Sequence, residues 1–157
     1  MLPRLLLLPP LALLLAACAT NRLDRAGDRQ GRWRLYYDAP TNQQPQSVGR
    51  FRHGQATGRW RYYAQDGHLE RREHFQRGGY SRLTFYQPGG RVWRQGRTRI
   101  ANNGRSLHYY WTGDWLIFGP DGRLQRVDTY EQGHRISTRA GLHQPPMAVR
   151  DTVAGRP

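Results

Sequence analysis

The sequence predicts an all-β fold, an elongated antiparallel meander of β-hairpins, and three observations support it. Short segments alternate aromatic with polar residues, a repeat of 21 residues recurs along the chain, and each clear copy contains a glycine turn. Between residues 31 and 139 no segment has the 3.6-residue period of an amphipathic helix. The 157 residues are enough for one domain of ordinary size.

The repeat is clearest between residues 58–78 and 113–133, which align without a gap. Seven of the 21 positions are identical, whereas average composition predicts roughly one or two. A third copy begins at residue 31 and is interrupted by a polar insertion near 38–47, and a weaker fourth runs from residue 83 to 96. The identical pairs are Gly58/Gly113, Trp60/Trp115, Asp66/Asp121, Gly67/Gly122, Leu69/Leu124, Arg71/Arg126 and Gly78/Gly133.

Each copy is expected to form one hairpin. Its first strand follows the pattern Gly-x-Trp-x-aromatic-aromatic, and its second strand runs from Leu69 to Phe75 or from Leu124 to Tyr130. The dipeptides between the strands can adopt positive φ at low cost, as tight turns require. These dipeptides are Asp66-Gly67 and Asp121-Gly122, with Gly89-Gly90 and Asn103-Gly104 in the weaker copies.

This pattern resembles the MORN-repeat superfamily, in its bacterial antitoxin-like variant. The resemblance covers about residues 31–135. It implies a meander of β-hairpins that serves as an interaction scaffold. The matching residues are Gly31-x-Trp33, Gly49-x-Phe51-x-x-Gly54, Gly58-x-Trp60-x-x-Tyr63, Asp66-Gly67-x-Leu69, Phe75-x-x-Gly78, Gly113-x-Trp115-x-x-Phe118, Asp121-Gly122-x-Leu124 and Tyr130-x-x-Gly133.

The N-terminus has the layout of an export signal. A positive charge at Arg4 precedes an apolar run from Leu5 to Ala17, which is too short for a transmembrane helix of about 20 residues. The four residues that end at Cys18 resemble the lipobox of bacterial lipoproteins. The resemblance implies cleavage before Cys18, acylation of this single cysteine, and, because Ala19 is no retention signal, placement in the outer membrane facing the periplasm.

Four segments are therefore predicted along the chain. Residues 1–17 form a lipoprotein signal peptide, and residues 18–30 form a lipidated flexible tether. Residues 31–139 form the MORN-like repeat domain, and residues 140–157 form a disordered tail with a Pro-Pro pair and no periodicity.

The charge of the chain is strongly positive. All 25 basic residues are arginines and 11 residues are acidic, which gives a net charge of +14. Such a charge is typical of nucleic-acid binding, but export separates the chain from cytoplasmic nucleic acid. Arg59 and Arg61 flank Trp60, so strand alternation predicts a basic face opposite an apolar face. This basic face either binds an anionic lipid, a glycan or an acidic envelope protein, or reflects codon bias and only keeps the surface soluble.

The best candidates for binding lie in a stretch without acidic residues between His74 and Gly113. Repetition assigns Trp33, Trp60 and Trp115 to the core, whereas two further tryptophans lie off the repeat position and are expected to be exposed. The candidate binding residues are Arg91, Trp93, Arg94, Arg97, Arg99, Arg105 and Trp111.

The sequence predicts no catalytic or metal site and no cofactor. His68 and His74 lie six residues apart, about 20 Å along a strand, which is too far for one ion. The chain contains no nucleophile elbow, phosphate-binding loop or zinc motif. We therefore expect a non-enzymatic, membrane-anchored scaffold that binds an envelope partner. The alternative is an antitoxin-like or immunity-like protein that neutralises a toxin by direct binding.

Overall fold

The computed structural model describes residues 20–37, 43–102, 104 and 106–141, and these residues form one ten-stranded antiparallel sheet. The strand order follows the chain, so each strand pairs only with its sequence neighbours, as a meander of hairpins requires. Within the described residues there is no α-helix, and one 3₁₀ turn at Arg77–Gly79 joins β5 to β6. The strands are β1 (Arg22–Leu23), β2 (Arg29–Tyr36), β3 (Pro45–Arg52), β4 (Gln55–Tyr63), β5 (Leu69–Phe75), β6 (Tyr80–Tyr86), β7 (Val92–Asn102), β8 (Leu107–Phe118), β9 (Leu124–Glu131) and β10 (His134–Ala140). The predicted all-β fold is confirmed.

The bounds of the strands match the repeat closely, but the sheet begins earlier in the chain than predicted. β5 covers the predicted residues, and β9 extends one residue further, to Glu131. The sheet begins at β1, where Arg22 pairs with Gln30, inside the segment assigned to the tether. β3 likewise begins at Pro45, inside the predicted insertion. The signal peptide, Cys18, residues 38–42 and residues 142–157 lie outside the described residues.

Four hairpin turns share one geometry. In the turn from Ala64 to His68, the Ala64 N–H donates to the His68 carbonyl and the Gly67 N–H donates to the Ala64 carbonyl, both at 2.9 Å. Only Gly67 has positive φ in this turn, at 91°. The expectation that both residues of the Asp66-Gly67 dipeptide adopt positive φ is therefore wrong. Asp66 instead accepts a hydrogen bond from the His68 N–H at 3.1 Å. The same backbone bonds close the turns Asp24–Asp28, Gln87–Arg91 and Gly119–Arg123.

A repeated β-bulge places each core tryptophan over a glycine. On β3, Gly49 alone stands opposite the three residues from Gly58 to Trp60 on β4. The bulge turns the indole onto the neighbouring strand, where a Cβ on Gly49 would lie 2.0 Å from the ring. The indole N–H donates to the Arg50 carbonyl at 3.2 Å. A single-layer sheet thereby buries a large side chain without a second layer.

The second copy of the repeat has the same arrangement. Gly96 on β7 stands opposite the residues from Gly113 to Trp115 on β8, and a Cβ on Gly96 would lie 2.3 Å from the Trp115 ring. The Trp115 N–H donates to the Arg97 carbonyl at 3.2 Å. Trp60 is 4% exposed and Trp115 is fully buried, which confirms their predicted place in the core.

The core lies on one side of the sheet, which we call the aromatic face. Around Trp115, Leu83 and Phe85 are buried, and the ring of Trp111 stacks on it at a centroid distance of 4.0 Å. Around Trp60, Phe51 makes an edge-on contact at 4.9 Å. Because strand side chains alternate, the side chains between these residues project from the opposite side of the sheet.

Candidate anion-binding surface

The side of the sheet opposite the aromatic face is dominated by arginine, and we call it the arginine face. Arg59 and Arg61 are exposed on β4 on either side of buried Trp60, so the predicted separation into a basic and an apolar face is confirmed at this strand. Strand pairing extends the face over β2 to β7. Its arginines are Arg32, Arg34, Arg50, Arg52, Arg59, Arg61, Arg72, Arg82, Arg97 and Arg99.

Arginines stand directly opposite one another at three places on this face. The strand register pairs Arg61 with Arg72 and Arg82 with Arg97, and it also pairs Arg32 with Arg50. Directly opposed residues have Cβ atoms about 4.5–5.5 Å apart, and like charges at this separation destabilise the sheet. None of the ten arginines of the face forms an ion pair with a carboxylate in the part of the chain that the structure describes.

A shallow cavity of about 240 Å³ lies in the middle of the arginine face. Its basic lining comes from three adjacent strands and consists of Arg59, Arg61, Arg72, His74 and Arg82, and the hydroxyl-bearing Thr84 lies beside them. Glu73 also borders the cavity. Its carboxylate, however, accepts hydrogen bonds from Ser81 at 2.6 Å and Tyr109 at 3.2 Å on the aromatic face.

Most of the ion-paired carboxylates lie at turns, away from this cavity. Asp24 contacts His53, and Asp66 contacts His68. Backbone N–H groups lower the pKa of both carboxyls, with the imidazoles adding to the effect. Asp121 pairs with Arg123 in the turn between β8 and β9.

The remaining paired carboxylates lie on the last strands of the sheet. The Thr129 hydroxyl and then Arg139 lower the pKa of Asp114. Burial alone raises the pKa of Asp128, but hydrogen bonds from Thr138 and Arg126 outweigh it, so the pKa lies below its ordinary value. The acidic groups therefore neutralise the C-terminal end of the sheet and leave its middle cationic.

Three of the predicted binding residues meet on the aromatic face. The Arg94 guanidinium carbon lies 4.1 Å from the Trp93 ring centroid, 4.2 Å from that of Phe85 and 4.6 Å from that of Trp111. Its Nε is buried and has no hydrogen-bond partner among the described residues, and burial lowers the pKa of the guanidinium. Such cation–π contacts contribute about 0.5–2 kcal/mol each, depending on how far the cation is desolvated.

The expected exposure of Trp93 and Trp111 is therefore wrong. Both are half-buried and pack against the core that contains Leu83 and Trp115. A register shift between the pairs Phe85–Arg94 and Tyr86–Val92 leaves Trp93 as the extra residue, which accounts for its inward position. Trp111 lies four residues before Trp115 and shares its face.

The other predicted residues lie elsewhere. Arg97 and Arg99 are exposed on the arginine face, where both guanidinium groups lie within 5.2 Å of the Tyr80 ring centroid. Arg91 is exposed in a turn and donates to the Pro120 carbonyl at 2.7 Å. Arg105 lies outside the described residues. The structure thus separates the predicted set between two faces and a turn.

A buried polar network on the aromatic face was not predicted from the sequence. Glu73 is 5% exposed and accepts hydrogen bonds from Ser81 and Tyr109, and Ser81 also contacts Thr98. Half of Tyr109 is exposed, but its hydroxyl points at the carboxylate. Desolvation first, and then the charge of Glu73, raises the pKa of Tyr109 to about 12. The repeat alignment contained a signal for this network, because Glu73 occupies the position of Asp128, which is also buried.

The described residues contain no group of three or more His, Cys, Asp or Glu side chains that could hold a metal ion. Among the same residues, no helix is long and apolar enough to cross a membrane. No protein-family model, curated protein or solved structure matches the chain. The arginine face is therefore interpreted from its own geometry and charge.

Proposed function

We propose that the protein is a membrane-anchored, non-enzymatic scaffold whose arginine face binds an anionic partner in the bacterial envelope. The observation that carries this proposal is the set of three directly opposed arginine pairs, among them Arg61–Arg72 and Arg82–Arg97. A sheet that only needed solubility would not require unneutralised like charges in register, because each such pair costs stability.

An anion over this face offsets that cost. Guanidinium groups bind phosphate and carboxylate through a planar fork of two N–H donors, so a row of arginines suits a surface with many such groups. Each arginine near an anionic membrane surface contributes about 1 kcal/mol of binding free energy. The exposed Arg59, Arg61, Arg72 and Arg82 together supply about 4 kcal/mol, which corresponds to millimolar binding, and the other arginines of the face add to it.

The proposed membrane anchor is the lipobox-like segment that ends at Cys18. Several acyl chains on one residue would hold the sheet at a membrane surface, because each buried methylene contributes about 0.8 kcal/mol. Replacing Cys18→Ala tests the anchor by fractionation of the expressed chain into membrane and soluble fractions. Release of the variant into the soluble fraction supports the anchor, and unchanged retention in the membrane contradicts it.

The arginine face is tested separately with vesicles. The full chain with Cys18→Ala is sedimented with vesicles of phosphatidylcholine that contain phosphatidylglycerol. The double charge reversal Arg72→Glu with Arg82→Glu should weaken binding at least about tenfold, since two cations are lost from the contact and two anions are added. The matched control Arg25→Glu with Arg123→Glu changes the net charge equally at two turns and should weaken binding much less.

Equal weakening by the two double variants would show that only the net charge of the chain matters, and it would contradict a binding role for the arginine face. Thermal unfolding followed by circular dichroism checks that both variants retain the sheet.

A further inference from the structure

We propose that the cavity on the arginine face is a binding site for a terminal phosphate group, a phosphomonoester, of a membrane lipid. This inference rests on the proposed function and specifies which chemical group of the anionic partner is bound. A general electrostatic surface would accept any anion, whereas the cavity concentrates Arg59, Arg61, Arg72, His74 and Arg82 around one space.

The strand register fixes how these donors are arranged. Arg59 stands opposite His74 and Arg61 opposite Arg72, and His74 in turn stands opposite Arg82 on β6. The five basic side chains therefore occupy neighbouring positions of a grid, with cross-strand spacings of about 5 Å. Guanidinium groups on three strands can approach one tetrahedral anion from different sides.

The number of oxygens favours a phosphomonoester over a phosphodiester. A terminal phosphate presents three acceptor oxygens and carries about −1.5 to −2 charges at pH 7, whereas a diester presents two unbridged oxygens and one charge. Each arginine fork can bond two oxygens, so the cavity offers more donors than a diester can use. The Thr84 hydroxyl supplies a further donor at its edge.

Charge and volume agree with this assignment. Among the residues that the structure describes, no carboxylate is aimed into the cavity, because Glu73 is held by Ser81 and Tyr109 on the opposite face. Glu70, which lies on the same face at the start of β5, is not part of the lining. A volume of about 240 Å³ has room for a phosphate group and several waters, since one water occupies about 30 Å³ of the liquid.

The test compares two lipids at equal surface charge. The full chain with Cys18→Ala is titrated with vesicles that contain either phosphatidic acid, a phosphomonoester, or phosphatidylglycerol, a phosphodiester, with their fractions adjusted to the same zeta potential. We expect binding to phosphatidic acid to be about 5–10 times tighter, which corresponds to about one additional hydrogen bond of ordinary net strength.

Two single variants separate the cavity from the rest of the face. Arg72→Gln should abolish the preference for phosphatidic acid, because Arg72 lines the cavity. The matched control Arg97→Gln removes the same charge from the same face outside the cavity lining, and it should weaken binding to both vesicles equally. Arg72→Gln should change the unfolding temperature little, because it removes one member of the opposed pair Arg61–Arg72 but also loses the contact of the guanidinium with the Tyr86 ring, 5.4 Å from its centroid.

The outcomes distinguish this inference from the function on which it rests. Equal binding to the two lipids, or an unchanged preference in Arg72→Gln, overturns the phosphomonoester site while leaving the anionic surface in place. Binding to neither vesicle overturns the proposed function as well. A final experiment adds inorganic phosphate to the bound chain, and chloride at the same ionic strength is the control. Release of the chain from phosphatidic acid vesicles at low millimolar phosphate would assign the site to free phosphate and overturn the lipid source.

Discussion

The indole of Trp115 lies directly over Gly96 on the neighbouring strand, at a position where a Cβ would meet the ring at 2.3 Å. Trp60 and Gly49 repeat this relationship in the other copy, at 2.0 Å. The absent side chain is what allows a single-layer sheet to bury a tryptophan, because the ring occupies the space above the backbone of the next strand. The glycine and the tryptophan therefore form one structural unit.

Gly96→Ala should destabilise the sheet by about 1–3 kcal/mol, since the added methyl forces the indole away from its position. The measurement is urea unfolding monitored by tryptophan fluorescence. Gly89→Ala is the control, because no atom of the described residues lies within 4 Å of its Cβ position and its φ is not positive. Equal stability of the two variants would contradict the close contact between Gly96 and Trp115.

Arg94→Gln should also destabilise the protein, by about 1–2 kcal/mol, because it removes a guanidinium that packs on Phe85, Trp93 and Trp111. Arg94→Lys should recover only part of this loss, since an ammonium keeps the charge but not the planar stacking surface. Unfolding by urea measures both variants. Arg59→Gln, which removes an exposed arginine that has no cation–π contact in the described part of the chain, should change stability little, and a loss as large as that of Arg94→Gln would argue against a special role for the aromatic contacts.

Asp128 should make the free energy of unfolding depend on pH in the acidic range. Its folded-state pKa lies below the unfolded value, so its contribution is fully present above the unfolded pKa of about 4 and is lost as the pH falls through the lowered folded pKa. Asp128→Asn should therefore be less stable than the parent at pH 7 by about 1–3 kcal/mol. The difference should shrink below about pH 4. Urea unfolding from pH 7 to pH 2 checks this, and a difference that stays constant with pH would refute the role of the charged carboxylate.

Tyr109 should contribute to alkaline unfolding. Its pKa is raised to about 12 in the folded protein, whereas an unfolded tyrosine ionises near pH 10. The folded state therefore retains the proton longer, and stability from this group is lost as the pH rises through that interval. Tyr109→Phe should lose less stability than the parent between about pH 10 and pH 12 in urea unfolding. An unchanged slope of stability against pH would show that the pKa of the Tyr109 hydroxyl is not raised in the folded protein.

The sequence predicted the fold better than it predicted the face of each arginine. The repeat located Trp60 and Trp115 in the core, because identical spacing in two copies implies identical packing. The acid-free stretch of the sequence places Arg94 and Arg97 together as binding candidates, but their separation by three residues puts them on opposite faces of β7. Simple alternation of side chains along β7 does not predict the face of Trp93, since Trp93 is the extra residue of a register shift.

The buried carboxylates illustrate the same limit. Glu73 and Asp128 occupy one repeat position, but a carboxylate on an otherwise polar strand gives no sign of burial. Burial depends on Ser81 and Tyr109, which reach Glu73 from neighbouring and more distant strands. Contacts across strands are set by the register, and the register includes bulges that local composition does not reveal.

By itself the sequence determined the all-β class, the hairpin repeat and the turns, because strand alternation and turn glycines are local properties of the chain. It also determined that arginine takes the place of lysine throughout, and it carries the lipobox-like segment that motivates the membrane anchor. The tertiary structure decided which arginines share a face. Pairing in register brings Arg61 against Arg72 and Arg82 against Arg97, and it gathers a cationic cavity from residues on three strands. Alternation assigns a side chain to one of two faces, but only strand pairing decides its neighbours on that face.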